Sequence, residues 1–188
     1  MGAQNRARTR VGSNYSVAIH LTLKLVGSEP LGPAGGFVPK RVFTRYEQLF
    51  PKVTVDIVVV HARSFLLVRR SSKNSSGRGL WATVGGHVRK NETLEDAAVR
   101  ILAREAGITA EKSKLEFIGV NQYFESRVHC VSIIFRMTAP SKVVVLDETS
   151  SEYGWFTNNS FPPSTTSYYR TTLRLGGFEV ASGDGSAE

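Results

Sequence analysis

The chain has a single cysteine among 188 residues, Cys130, so no disulfide framework can hold it together. Cys130 lies in the apolar run Cys130-Val131-Ser132-Ile133-Ile134-Phe135 and reads as a small core residue rather than a nucleophile. One unpaired thiol fits a reducing, cytoplasmic setting. Long hydrophobic runs are missing too: no stretch approaches the roughly 20 apolar residues of a membrane-crossing helix. His20, Thr22 and Lys24 interrupt the best candidate for a secretory leader, so none is expected. Acidic residues are scarce near the N-terminus. Residues 1–52 hold eight Lys/Arg against two Asp/Glu, a net of +6, whereas residues 53–188 hold sixteen against fourteen, a net of +2. The formal charge of +8 thus belongs mainly to the first segment, whose natural partners are polyanions such as phosphates or RNA. There is no internal repeat. What is present, 41% hydrophobic residues with ten Phe and two Trp, suffices for one globular core.

Residues 1–14 carry Arg6, Arg8 and Arg10 and read as a polar tail. Val17, Ile19, Leu21, Leu23 and Leu25 alternate with smaller or polar residues, the pattern of a half-buried strand. Such a strand can add to a sheet edge or exchange between subunits, so a homodimer is expected. The Gly/Pro-rich segment 28–36 is a loop. A short helix is predicted from Pro39 to Phe50, then a strand from Val53 to His61 broken only by Asp56. A turn at Arg63-Ser64 leads to its hairpin partner, Phe65 to Arg70. Residues 71–79 form a surface loop, and Leu80 to Val84 a short strand. Thr93 caps a helix that runs to Ala106 and stops at Gly107. Leu115–Phe124 and Val128–Met137 pair as strands, Tyr153–Phe156 makes another, and a weak helix follows Pro163. The organisation expected is a basic extension over 1–36, one catalytic domain over 37–176 and a flexible tail over 177–188. Strands on both sides of a central helix give a mixed-sheet α/β sandwich rather than a doubly wound parallel sheet.

The segment Gly85 to Ile108 carries the chemistry. Gly86, Glu92, Arg100, Leu102, Glu105, Gly107 and Ile108 fall at the spacings G-x5-E-x7-R-E-U-x-E-E-x-G-U, where U is bulky and apolar. An amphipathic helix accounts for Leu94, Ala98, Leu102 and Gly107, but not for Gly86, Glu92, Arg100 and Glu105 together. The spacing is that of the Nudix box, and the chain is identified as resembling the Nudix hydrolases. This implies an α/β/α sandwich with a mixed sheet, and a divalent ion, magnesium or manganese, held against a diphosphate. Two of the usual carboxylates are replaced, by Ile101 and Arg104. Without a Cβ, Gly85 and Gly86 let the backbone approach a ligand, and a carbonyl there can coordinate a hard cation. Positions 101, 104 and 105 share a helix face. Glu105 alone meets the minimum for one magnesium ion, while Ile101 cannot coordinate. Arg104 repels a second cation and can grip a phosphate oxygen. Glu92 and Arg100 can pair and lock the loop to the helix.

Within the Nudix proteins the stretch Phe37 to Thr157 is most similar to GDP-mannose mannosyl hydrolases. The similarity rests on the helix before Pro51, Val55-Asp56, Phe65-Leu66-Leu67 with Arg69-Arg70, Gly85-Gly86 through Glu92-Thr93-Leu94-Glu95, Asp147-Glu148, and Tyr153-x-Trp155. That likeness implies one metal held by the Gly85 carbonyl and Glu105, and cleavage at the sugar carbon with inversion. It also implies diphosphate or site-organising roles for Arg70 and Arg100, with Asp56 near the substrate. His87 stands where that family has an arginine. Thr149-Ser150 stand where it has its Gln-His metal ligand and base, and Cys130 lies near its late-strand tyrosine. A base would then come from Glu148 or Glu152. Solvated loop carboxylates are the alternative for both glutamates, as a purely structural hydrogen-bonding role is for Asp56.

The leading expectation is a magnesium-dependent hydrolase of a nucleoside diphosphate linked to a sugar or similar group. Pyrophosphate cleavage is the second enzymatic reading, with extra carboxylates from the loop Asp147 to Glu152. A different class is a catalytically weakened domain that binds nucleotide or RNA, favoured by Ile101, Arg104, Thr149, Ser150 and the basic N-terminal arm.

Overall fold

A computed structural model describes residues 40–74, 77–125 and 128–180, and the strand expected over Val17–Leu25 lies outside them. The chain divides into a unit of residues 1–46 and one of residues 47–188. The helix α1 (Lys40–Leu49) crosses that division. The second unit follows with β1 (Lys52–His61), β2 (Ser64–Arg70), β3 (Trp81–Ala82), β4 (Val84–His87), α2 (Leu94–Ala106), β5 (Glu116–Glu125), β6 (Val128–Thr138), β7 (Ser150–Phe156) and α3 (Ser167–Leu175).

The strand β1 organises everything else. Its β-branched run Val55 to Val60 suits an extended chain buried on both faces, and side chains alternate between those faces. Val55, Ile57 and Val59 join Ala97, Ala98, Ile101, Leu102 and Ala106 of α2 in one core cluster. Val58 and Val60 join Phe65, Leu67, Trp81, Ile134 and Leu173 in the other, on the α3 side. The sheet therefore lies between two helical layers, as the sequence predicts. Its order is β3-β2-β1-β6-β5, with β4 on β1 and β7 on β2. β1 and β6 run parallel while the other pairs run antiparallel, which makes the seven-stranded sheet mixed.

Three details depart from the sequence reading. The β1–β2 hairpin turns on Ala62-Arg63, with Ala62 at φ 52°, and Ser64 already begins β2. The strand expected over Leu80–Val84 is two strands broken at Thr83, and the second runs on through Gly85 and Gly86 to His87. The chain expected to fray from Gly177 instead keeps packing. Phe178 meets Phe65 with ring centroids 4.6 Å apart, and Val180 is buried in the α3-side cluster. No helix among the described residues is long and apolar enough to cross a membrane.

Candidate active site

The helix α2 positions Glu105 by ordinary helix chemistry. Thr93 Oγ1 accepts the Asp96 amide at the N-terminus, and Gly107 closes the C-terminus in the left-handed region at φ 64°. Within that frame Ile101 is fully buried in the core, Glu105 is buried one turn later, and Arg104 stands at the rim. Ile101 and Glu105 both face Gly86: a Cβ there would lie 3.3 Å from Ile101 Cδ1 and 3.7 Å from Glu105 Oε1.

Gly85 and Gly86 do not lie in a loop. They are strand residues, and their missing side chains make room for protein groups. Gly85 lies opposite Asp56, and a Cβ on it would come within 2.3 Å of Asp56 Oδ1. The Val88 amide bonds to the Val53 carbonyl, which fixes the alternation along β1 and β4. Gly85 and Asp56 thereby form a non-hydrogen-bonded pair, so the Gly85 amide and carbonyl are directed away from β1. The amide serves Glu105, whose carboxyl pKa is raised by burial and drawn back by Arg104 and by the Gly85 N–H.

The loop after β6 brings a second carboxylate. Val145 packs on Gly107, and its amide bonds to the Ala106 carbonyl, which hangs the loop on the end of α2. Asp147 follows. Its Oδ1 accepts the Thr149 amide at 2.9 Å and the Thr149 hydroxyl, and its Oδ2 faces Arg104 Nε at 3.6 Å. Arg104 Nη2 also donates to Glu105 Oε1. Arg104 therefore bridges two acidic side chains, with its charge beside Glu105 as the sequence places it. The sequence offers Asp147 only as one of three carboxylates in its loop. The two it singles out as bases are elsewhere: Glu148 pairs with Lys73 at 2.6 Å and Glu152 with Arg69 at 3.2 Å, both on the surface. Their surroundings match the alternative reading, solvated loop carboxylates.

The ion pair expected between Glu92 and Arg100 is present and bidentate. Arg100 Nε donates to Oε1 at 2.6 Å and Nη2 to Oε2 at 2.8 Å, and Nη2 also meets the His87 carbonyl at 2.9 Å. Arg100 first of all holds the Glu92 carboxyl below its ordinary pKa. These bonds tie β4 and the following loop to α2. His87 is at the surface, and its imidazole is held below its ordinary pKa by desolvation and by the charges of Lys52, Arg104 and Arg100. Glu47 opposes those charges, and Lys52, Arg100 and Arg104 are each paired with a carboxylate.

Asp56 belongs to a different arrangement. It is buried on the α3 face and accepts hydrogen bonds from Thr83 Oγ1 (2.8 Å), Ser132 Oγ (2.6 Å) and Tyr168 OH (2.5 Å). Burial raises its pKa, and the three hydroxyls oppose that rise. A carboxylate that accepts three protein donors anchors α3 to the sheet, which is the structural hydrogen-bonding role the sequence offers as the alternative for Asp56. The sequence carries no local signal for this cage, because its donors come from widely separated segments. Arg70 lies near enough for its charge to act on Asp56 and Tyr169, while Arg69 points to Glu152 and the Gly79 carbonyl. Cys130 sits opposite Tyr123 across the β5–β6 ladder.

Glu105, Asp147 and the Gly85 carbonyl supply hard oxygen donors, the chemistry that magnesium or manganese selects. Among the described residues no cluster of three or more His, Cys, Asp or Glu side chains stands ready for a metal. Glu105, Asp147 and the Gly85 carbonyl are the donors such a cation would meet here, with water and substrate oxygens to complete its shell.

Comparison with known proteins agrees with this geometry. The chain is 29% identical over 126 residues to an ADP-ribose pyrophosphatase of Methanocaldococcus jannaschii, covering 66% of this chain and 73% of that one. It is 41% identical over 73 residues to the phosphatase NudJ of Escherichia coli, covering 39% of this chain and 44% of that protein, well under two thirds of its length. Among solved structures, the MutT NUDIX hydrolase of Burkholderia pseudomallei superposes with a TM-score of 0.61 at 25% identity, over 67% of this chain and 98% of that one. Residues 50–175 match the family model of the NUDIX domain, and the chain belongs to the Nudix hydrolase family.

Proposed function

We propose that the protein hydrolyses a nucleoside diphosphate linked to a sugar, with one divalent cation, magnesium or manganese, and with cleavage at the sugar carbon favoured over phosphorus. One observation carries this reading: two sheltered acidic side chains, Glu105 and Asp147, converge on Arg104, and the Gly85 amide also serves Glu105. Glu105, Asp147 and the Gly85 carbonyl would hold the cation, which supplies charge to neutralise the diphosphate leaving group. Arg104, His87 and Arg70 are assigned to the phosphate oxygens, and Arg100 with Glu92 fixes the β4–α2 geometry. Ile101 is core, so the acidic side chains at the site are fewer than a multi-cation attack on phosphorus demands.

The relative named ADP-ribose pyrophosphatase supports the same substrate class, a nucleoside diphosphate joined to a sugar. The resemblance to GDP-mannose mannosyl hydrolases supports the single-cation mechanism. A screen of nucleotide sugars that includes GDP-mannose and ADP-ribose, with magnesium and products read by mass, tests both. Free sugar with nucleoside diphosphate is the expected outcome, while sugar phosphate with nucleoside monophosphate overturns the assignment to carbon.

A second reading, a nucleotide or RNA binder without turnover, is favoured by Arg104 lying on the two carboxylates. Tight, salt-sensitive binding with no product from any substrate in the screen would select it.

A further inference from the structure

Resting on the assignment of Glu105 and Asp147 to the cation, the geometry points to a role for Arg104 that the box alone does not suggest. We propose that Arg104 is a built-in competitor for the cation: its guanidinium fills the place between the two carboxylates until the diphosphate of an incoming nucleotide draws it away, so that metal and nucleotide enter together.

The two carboxylates are fixed. The Glu105 side chain is 10% exposed and receives the Gly85 amide. The Asp147 side chain is 19% exposed, and Thr149 holds its Oδ1, which leaves Oδ2 toward Arg104. Arg104 is different, with 44% of its side chain exposed and contact through Nη2 to one acid and Nε to the other. Two acids this sheltered need a positive partner, because uncompensated buried charge is strongly unfavourable. The Arg104 guanidinium lies against Glu105 Oε1 and Asp147 Oδ2, and so takes the space that a cation shared by those two oxygens would occupy. Arg104 can leave only toward an anion that satisfies its planar fork, and a diphosphate does so.

The test is manganese binding by the full chain, read as the excess of Mn2+ on the protein side at dialysis equilibrium, which leaves out Mn2+ held by ADP in solution, with and without saturating ADP as the probe. Wild-type protein is expected to bind Mn2+ weakly alone and at least about tenfold more tightly with ADP. R104M is expected to bind Mn2+ alone about tenfold more tightly than wild type, with most of the ADP effect lost. R104K keeps the charge but contacts only one acid at a time, and is also expected to exceed wild type. Mn2+ affinity unchanged in R104M would overturn the proposal. So would R104K binding as weakly as wild type while R104M binds tightly, because simple repulsion would then suffice. E105Q separates the two levels. If it leaves binding of Mn2+ with ADP intact, the site assignment itself is wrong. If E105Q abolishes binding while R104M changes nothing, only the competition is wrong.

Discussion

At the scale of single residues, four carboxylates illustrate how much environment decides. Glu105 and Asp147 are sheltered and share Arg104, whereas Glu148 and Glu152 are half exposed or more and pair with surface cations. On the proposed substrate, Glu105→Gln is expected to lower kcat/KM by at least about a hundredfold, and Asp147→Asn by about tenfold or more. Glu148→Gln and Glu152→Gln should stay within about twofold, as exposed ion pairs contribute little. Steady-state kinetics of the four variants checks the ranking. Glu92 offers a pH test of stability. Its depressed pKa means that the Arg100 pair stabilises the fold above the ordinary glutamate value of 4.5, and that this is lost as pH falls through the folded-state value. Glu92→Gln should therefore cost about 1–3 kcal/mol near neutrality in urea unfolding. The gap to wild type should close as the pH drops below 4.5. Glu92, Arg100 and Glu105 were legible in the sequence through the spacing of the Nudix box, which an amphipathic helix alone does not explain. Asp147 was not, because its position depends on a loop hung on Gly107 by tertiary contact. The hydroxyl cage of Asp56 was not either, because Thr83, Ser132 and Tyr168 converge only after the sheet and α3 have assembled.

At the scale of elements, α2 is held at both ends by groups that the sequence already displays, Thr93 and Gly107. The structure adds a second duty to Gly107. Besides its left-handed backbone, it leaves space for Val145, whose Cβ would lie 2.7 Å from a Cβ placed there. Gly107→Ala therefore suffers both backbone strain and a clash, and is expected to cost about 2–4 kcal/mol. Its effect on activity should resemble that of Asp147→Asn, because the displaced loop carries Asp147. Thr93→Ala, which removes only a cap, is expected to cost about 1 kcal/mol and leave kcat unchanged. Chemical denaturation paired with kinetics separates these outcomes. The element order was legible because strand alternation and helix caps are local. The merging of Gly85 and Gly86 into β4 was hidden, since a Gly-Gly pair reads as a turn until a neighbouring strand with a bulky acid requires its missing side chains.

At the scale of the molecule, the two cores lie on opposite faces of one sheet, and the α3-side core is completed by residues past the last helix. Phe178 and Val180 close over Phe65 and its neighbours. A chain ending at Gly177 is expected to lose about 3 kcal/mol or more, whereas one ending at Val180 should unfold at the same denaturant concentration as the full chain. Equilibrium unfolding of the two truncations decides this.

The parallel pairing of β1 with β6 has a consequence for how the protein is made. Lys52 lies opposite Cys130, 78 residues further along the chain. At ribosomal speed that separation corresponds to roughly 4–16 s during which β1 has emerged without its central partner. Through that interval the nascent polypeptide carries the apolar segment Ile57 to Val60 without the strand that pairs with it, the kind of unpaired edge that invites association between chains.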